Sequence, residues 1–164
     1  MSDTYLRIKL RKNQSTLPME KLHSGLKTLE ILGDSIETLP SLEHLTQCEQ
    51  LLLVCPNLSK LAALPENLKI LKIKGGQVIP PSLPKNLETL QLSGIKGQEI
   101  EYLELPQGLY NIDLSNNQLT NLREMKFAPT LQRINLDHNA LKELPESIYQ
   151  SKSILHLSLD GNPL

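Results

Sequence analysis

The sequence predicts an α/β solenoid of about eight repeats, in which short parallel strands are joined by extended return segments. Two observations lead to this prediction. First, 36 of the 164 residues are leucine, whereas the chain has one Phe, four Tyr and no Trp. Second, the apolar residues recur in one fixed frame along nearly the whole chain. A core that uses many copies of one side chain in equivalent places is typical of a repeat protein.

The repeat is clearest near the carboxyl end, in a copy that begins at Leu131 and includes Leu144-Pro145. In that copy, positions one, four, six, nine and eleven are Leu131, Ile134, Leu136, Asn139 and Leu141. The same frame fits eight copies, which begin at Tyr5, Leu26, Cys48, Leu68, Leu87, Leu109, Leu131 and Ile154. We therefore interpret residues 1–164 as a single domain of stacked repeats.

Alternating side chains define two faces in each copy. Positions four and six are apolar, and they point to one side of a strand while positions three, five and seven point to the other. Stacked strands of this kind form a concave parallel sheet with a continuous buried column. The Asn at position nine, as in Asn117 and Asn139, is expected to turn the chain and to satisfy backbone groups left open by the bend.

The return segments carry Leu-Pro pairs, at Leu39-Pro40, Leu64-Pro65, Leu83-Pro84, Leu105-Pro106 and Leu144-Pro145. Proline cannot donate a hydrogen bond to a ladder and favours extended backbone. The convex side is therefore predicted to be mostly extended and polyproline-like. Residues 41–47 and 146–151 are the two segments where we expect a short helical turn.

These motifs resemble the leucine-rich-repeat family, which implies a horseshoe-shaped leucine-rich-repeat solenoid. The short returns Leu64-Pro-Glu-Asn-Leu68, Leu83-Pro-Lys-Asn-Leu87 and Leu105-Pro-Gln-Gly-Leu109 resemble a bacterial subclass. That subclass is common among effectors that Gram-negative pathogens inject into host cells. The last copies, with Leu144-Pro-Glu-Ser-Ile148 and Leu157-Ser-Leu-Asp-Gly-Asn-Pro-Leu164, resemble the longer, typical subclass instead.

The middle copies depart from the family pattern at position nine, which is Pro56, Gly76 and Ile95. The loops there are expected to bend differently, and residues 94–104 are the hardest to place in the frame.

Charge and cysteine content exclude several classes of protein. The chain has 17 Lys+Arg, 18 Asp+Glu and a net charge of −1. This balance argues against a protein that binds a polyanion or a membrane through its overall charge. Cys48 and Cys55 are too few for a secreted disulfide scaffold and lack the second pair of a zinc site. Cys48 is expected in the core, and Cys55 is a candidate for exposure. No signal peptide or membrane span is recognisable, so we expect a soluble cytoplasmic protein, secreted into host cytosol if it is an effector.

The terminal copies of a solenoid expose core and strand edge. The first strand carries Arg7, Lys9, Arg11 and Lys12, which either guard an open edge or bind a partner. The chain stops at Leu164, eleven positions into its last copy. We therefore expect a trimmed domain that lacks its carboxyl-terminal cap.

The outward strand positions are where a solenoid binds partners, and they hold an apolar cluster at Leu32, Leu52 and Val54. Exposed apolar residues rimmed by charge mark interaction sites. The alternatives are that a loop covers them or that the frame slips by one in the third copy. The face is basic in the first and fourth copies and acidic at three aspartates, which would orient a partner. The predicted contact residues are Leu32, Leu52, Val54, Lys72, Lys74, Tyr110, Asp113, Asp137 and His156.

The sequence favours no catalytic site, metal or cofactor. His138 and His156 lie about five residues apart along adjacent strands, too far apart to share a metal ion. Asp137 and Asp160 share position seven, so a weak cation site is conceivable, but solvated surface is the preferred interpretation. No nucleophile, base and orienting group come together in the frame.

The leading hypothesis is a monomeric, non-catalytic protein–protein interaction module that binds a partner protein on its concave face. The family resemblance implies a bacterial effector that inhibits or recruits a host protein or another effector enzyme. The alternative is the substrate-recognition half of a larger enzyme, such as a bacterial ubiquitin ligase with its catalytic domain beyond Leu164. Nucleic-acid binding is third, because the Arg7–Lys12 strip supplies charge without stacking aromatics.

Overall fold

The computed structural model describes residues 4–96 and 100–164. Ten short strands lie in these ranges: β1 (Tyr5–Lys9), β2 (Thr28–Leu32), β3 (Thr38–Leu39), β4 (Gln50–Val54), β5 (Lys60–Leu61), β6 (Ile70–Lys74), β7 (Thr89–Ser93), β8 (Asn111–Asp113), β9 (Arg133–Asn135) and β10 (His156–Ser158). Eight of them pair in parallel in one sheet, in the order β1-β2-β4-β6-β7-β8-β9-β10. This parallel-sheet solenoid fits the leucine-rich-repeat solenoid that the sequence predicts.

The sheet register sets equivalent repeat positions side by side. Leu29 pairs with Leu51, and Leu51 pairs with Leu71, so position four forms a row across the strands. Positions four and six are fully buried from the second copy to the seventh, whereas positions three, five and seven of the same copies remain at least partly exposed, except for Ser115, which follows β8 and is buried. The predicted alternation is confirmed, and the buried rows form the core of the solenoid.

In the first copy the predicted frame is wrong by two residues. The sequence prediction began this copy at Tyr5, which put Ile8 at position four. In the sheet Ile8 pairs with Ile31, a position-six residue, so Lys9 falls at position seven beside Leu32. Because side chains alternate with a period of two, a shift of two residues leaves the same side chains buried. The alternation alone could not reveal the error.

The return segments contain structure that the sequence did not predict. β3 and β5 pair in parallel as a separate two-stranded sheet, and 3₁₀ turns form at Met19–Lys21 and Ile100–Tyr102. Most other return residues are neither helical nor in strands, as expected. The turn predicted near the carboxyl end is confirmed as helix α1 (Glu146–Gln150). Within the described ranges, no helix is long and apolar enough to span a membrane.

Residues 41–47 form successive turns, so the helical turn expected there is wrong. The N–H of Leu45 donates to the carbonyl of Leu42, and the N–H of Cys48 donates to that of Leu45. All three side chains are buried at an interval of three residues. That interval suits repeated three-residue turns better than a helix with 3.6 residues per turn.

Asparagines at position nine form a hydrogen-bonded ladder. The side-chain amide of Asn117 donates to the carbonyl oxygens of Leu92 and Leu114, at 2.6 and 2.8 Å. Its Oδ1 accepts the N–H of Ile95 at 2.9 Å. Asn139 makes the same kind of bonds one repeat further on. The predicted role of this residue, satisfying backbone groups at a bend, is confirmed.

Where glycine replaces asparagine at position nine, the loop bends differently, as expected. Gly76 has a φ angle of +101°, whereas Asn117 and Asn139 do not have positive φ angles. A Cβ atom on Gly76 would lie 3.3 Å from the carbonyl oxygens of both Cys55 and Leu58. Glycine is therefore the residue that this close approach accepts. Of the segment 94–104, residues 97–99 lie outside the described residues.

Position eight has left-handed backbone in each of the last five copies, at Gly75, Gly94, Asn116, His138 and Gly161. Glycine adopts this conformation without strain, and asparagine and histidine are among the side chains that adopt it most readily. The loop after each strand therefore starts from a fixed backbone geometry.

Candidate functional site

The candidate site is the side of the eight-stranded sheet opposite the buried leucines, which we name the strand face. Repeat positions three, five and seven lie on it in rows that cross the strands. The position-three row is Tyr5, Thr28, Gln50, Ile70, Thr89, Asn111, Arg133 and His156; the position-five row is Arg7, Glu30, Leu52, Lys72, Gln91, Asp113, Asn135 and Ser158; the position-seven row begins Lys9, Leu32, Val54, Lys74 and Ser93. Neighbours in a row are about 4.8 Å apart, so each row is a continuous strip.

Four apolar side chains, Leu32, Leu52, Val54 and Ile70, are neighbours on the strand face, and we name them the apolar patch. Leu32 pairs with Val54, and Ile70 on β6 is a diagonal neighbour of Leu52 on β4. All four are partly buried, and the described chain leaves part of each side chain open to solvent. The residues flanking Leu52 on its strand are fully buried. The frame therefore does not slip in the third copy.

Ile70 is a patch residue that sequence reasoning placed on the outward face but left out of the predicted contacts. The signal was an isoleucine at position three, where the other copies carry Tyr, Thr, Gln, Asn, Arg or His.

Lysines border the apolar patch on two sides. Lys72 and Lys74 are exposed on β6, and Lys9 is exposed on β1 next to Leu32. Among the described residues, no carboxylate forms an ion pair with any of these three lysines. Their charges are therefore open to a partner.

Arg7 differs from the lysines because its charge is already engaged. Its Nη1 lies 3.5 Å from Oε1 of Glu30, and the Tyr5 hydroxyl donates to the same oxygen at 2.6 Å. The hydrogen bond to Glu30 is the main cause that raises the pKa of Tyr5. Of the predicted basic strip, Lys9 is thus the strand residue whose charge is not engaged.

The aspartates predicted at the other end of the face make hydrogen bonds within the chain. Oδ1 of Asp137 accepts the hydroxyl of Ser158 at 2.6 Å and the N–H of Asp160 at 2.8 Å. Oδ1 of Asp113 accepts the N–H of Ser115 at 2.9 Å. These carboxylates organise the chain at the strand ends, and this end of the face remains acidic.

The structure divides the predicted contact residues into two groups. The first group is Leu32, Leu52, Val54, Lys72 and Lys74, which lie together on β2, β4 and β6. The second group is Tyr110, Asp113, Asp137 and His156, which lie on or beside β8, β9 and β10. Tyr110 and His156 are exposed. Because β7 separates the groups, a partner must be large enough to cross several strands in order to contact both.

Groups that could carry chemistry are dispersed over the described part of the chain. No cluster of three or more His, Cys, Asp or Glu residues there could hold a metal ion. His156 pairs with Arg133, and His138 follows Arg133 by five residues, so the two imidazoles are separated along the strand direction as the frame predicts.

The expectation that Cys55 is exposed is wrong. Its side chain is 1% exposed, and its Sγ lies 3.8 Å from the carbonyl oxygen of Ile31. Cys55 occupies position eight without the left-handed backbone that the later copies adopt there. Cys48 is buried, as predicted. Burial raises the pKa of both thiols to about 11, so neither is a thiolate at neutral pH.

A groove of about 960 Å³ lies among the return segments, which sequence reasoning did not identify. Its lining includes Val78, Ile79, Leu83, Tyr102 and Leu103, of which Tyr102 is 66% exposed. The groove is formed by the return segments of neighbouring copies, and the lining residues named here lie outside the strands of the eight-stranded sheet.

Comparison with known proteins agrees with this architecture. A family model described as leucine rich repeat matches residues 107–164, the part that contains β8, β9, β10 and the asparagine ladder. No curated protein matches the chain. The family match supports a leucine-rich-repeat protein. Leucine-rich-repeat domains are generally protein–protein interaction modules, and the solenoid is typically a non-catalytic scaffold with an extended binding surface.

Proposed function

We propose that this chain is a non-catalytic module that binds a partner protein on its strand face. The observation that carries the proposal is the apolar patch of Leu32, Leu52, Val54 and Ile70, partly open to solvent on a sheet face that is otherwise mostly polar. Contiguous apolar surface with a charged border is a property of interaction sites.

Complete burial of a leucine or valine side chain stabilises by about 1.5–3 kcal/mol, and these side chains are already partly buried. Since most of each side chain is already buried, a partner that covers the patch gains at most about 1 kcal/mol per side chain. Binding also has to overcome the entropy cost of association, so surrounding polar contacts must contribute as well.

The contacts proposed around the patch divide by charge. Lys72 and Lys74 border it directly and would attract acidic groups of the partner. Tyr110, Asp113, Asp137 and His156 form the second group, on a part of the face that carries negative charge. Opposite charges at the two ends would set the orientation in which a partner binds.

The test is affinity capture followed by mass spectrometry, comparing wild type with Leu52→Glu/Val54→Glu. The matched control is Ala62→Glu/Ala63→Glu, which places the same two charges at exposed residues of a return segment. Circular dichroism first establishes that all three proteins are folded. A partner lost only with the strand-face variant, and whose purified form binds wild type at least tenfold more tightly than that variant, supports the proposal. Equal affinity for all three proteins would contradict it.

A narrower proposal concerns the biological setting. The short Leu-Pro returns between residues 64 and 109 support a role as a bacterial effector that inhibits or recruits a host protein or another effector enzyme. A translocation reporter fused to the chain, expressed in its native bacterium, should be delivered into host cells only when the secretion system is intact. Retention of the reporter in the bacterium would refute this setting and leave the binding proposal standing.

A further inference from the structure

The position-seven row reads Lys9, Leu32, Val54, Lys74 across four adjacent strands. Two apolar side chains thus stand between two lysines in one straight strip of the strand face. Lys9 belongs to this strip because it pairs with Leu32 on β2, two repeat positions away from where the sequence frame placed it. The strip has a defined length, since three strand spacings of about 4.8 Å separate the two lysines by about 14 Å.

The two lysines at the ends of this strip have unsatisfied charge. Both are exposed, and among the described residues neither forms an ion pair. The position-five row beside it is different, because there Glu30 already contacts Arg7. Charge complementarity therefore calls for a partner with one acidic group at each end of the position-seven row.

The apolar patch is too wide for a single extended chain. Its members occupy positions three, five and seven, a width of about 13 Å along the strands, since each residue advances about 3.3 Å. An α-helix with its side chains is about 10–12 Å in diameter, which is close to this width, whereas a single extended chain covers about one row. A helix that crosses the strands can place its apolar side on the patch and its charged ends on the two lysines.

The spacing on such a helix follows from its geometry. Residues i and i+11 are three turns apart on one face, about 16 Å, which is the same-face spacing nearest to the separation of the lysines. Residues i+4 and i+7 lie between them on that face. The ligand pattern is therefore acidic at i and i+11 and apolar at i+4 and i+7.

Resting on the strand-face binding proposed above, we propose that the partner presents an amphipathic helix with acidic residues about three turns apart and apolar residues between them, which lies across β1, β2, β4 and β6 with its carboxylates on Lys9 and Lys74. The helix covers Leu32, Leu52, Val54 and Ile70. The second group of contacts, near β8 to β10, then touches other parts of the partner.

The test is selection from a yeast-displayed library built on a small helical scaffold, with positions i, i+4, i+7 and i+11 of its exposed helix randomised. Wild-type protein should enrich Asp or Glu at both i and i+11 and Leu, Ile, Val or Phe at i+4 and i+7. Enriched binders should lose roughly tenfold in affinity for Lys74→Glu, because one attraction becomes a repulsion. They should keep their affinity for the control Lys60→Glu, an exposed lysine of the return sheet.

Reselection against Lys74→Glu should exchange the acidic residue at one end of the helix for Lys or Arg, and Lys9→Glu should exchange it at the other. Binders that depend on Leu52 and Val54 but show no acidic preference would overturn this inference and leave the proposed function intact. Binders that are indifferent to Leu52→Glu/Val54→Glu would overturn both.

Discussion

Oδ1 of Asn139 accepts the backbone N–H of Asn117 at 3.0 Å, so the side chain of one repeat closes the bend of the repeat before it. The same oxygen accepts the N–H of Leu119, and the amide nitrogen donates to the carbonyls of Leu114 and Leu136, each at 3.0 Å. One buried side chain thus satisfies four backbone groups in two successive repeats.

Replacing Asn139 with Ala should lower the free energy of unfolding by about 2–4 kcal/mol, because buried backbone donors lose their acceptor. Urea denaturation measures the loss. Asn67→Ala is the control, since exposed Asn67 makes one side-chain hydrogen bond, to the carbonyl of Thr46, and its loss should cost less than about 1 kcal/mol. Equal effects of the two substitutions would contradict the role of the ladder.

Gly76→Ala should destabilise the fold by about 1–3 kcal/mol, because the φ angle of +101° and two carbonyl oxygens at 3.3 Å oppose a Cβ atom. Gly108→Ala is the matched control. A Cβ atom at Gly108 meets nothing within 4 Å, and its φ is not positive, so the change should be neutral or stabilise by up to about 1 kcal/mol. Thermal unfolding distinguishes the two, and a neutral Gly76→Ala would show that the loop relaxes freely.

Glutamate substitutions at two adjacent leucines on β4 should reduce stability by very different amounts. Leu53 is fully buried, so Leu53→Glu should cost more than about 4 kcal/mol and leave the protein largely unfolded. Leu52 is half-buried on the strand face, and Leu52→Glu should cost about 1 kcal/mol or less. Circular dichroism and urea denaturation measure both. Similar losses would mean that the strand face is covered.

Stability should fall in alkaline solution in part because of Cys48 and Cys55. Burial raises the pKa of both thiols from 9.0 to about 11. A group whose pKa is raised by folding contributes its full stabilisation below its unfolded pKa and loses it as the pH rises through the folded pKa. The window for this loss is therefore pH 9 to 11.

The measurement compares wild type with Cys48→Ala/Cys55→Ala by urea denaturation from pH 8 to pH 11. Other groups titrate equally in both proteins. The free energy of unfolding of wild type, relative to that of the double variant, should therefore fall by about 2–5 kcal/mol across this range. At pH 8 the thiols should react with Ellman's reagent only after unfolding. A constant advantage, or rapid reaction of the folded protein, would show that the thiols are accessible.

The parts of the fold that follow from local alternation were predictable. Leu51 and Leu53, or Ile112 and Leu114, identify their strands and buried sides because a period of two has one interpretation within a strand. The relative shift of Tyr5–Lys9 was not predictable in this way, since pairing between strands depends on loop length and a shift of two preserves the pattern. The pairing of β3 with β5 is likewise a tertiary contact with no periodic signal in two-residue strands.

The site was predictable where it depends only on which side of a strand each residue faces. Leu32, Leu52 and Val54 were identified because they are apolar at outward positions, and the structure places them there. The Lys9–Leu32 pair required the true register, and the engagement of Arg7 by Glu30 required side-chain geometry. The burial of Cys55 required its backbone conformation. Each of these depends on information that a single sequence carries only weakly.

The left-handed backbone at position eight limits how the surface can be altered. In the last five copies this position holds Gly, Asn or His, and a β-branched residue there would be strained. Positions three, five and seven have extended strand backbone in the regular strands, which all side chains adopt without strain. An engineered binding repertoire built on this chain can therefore vary those rows on β1 to β7, while Asp113 and Asp137, which accept backbone N–H groups, and the loop entry at position eight must keep their present residues. In this solenoid the backbone conformation determines which surface positions tolerate substitution.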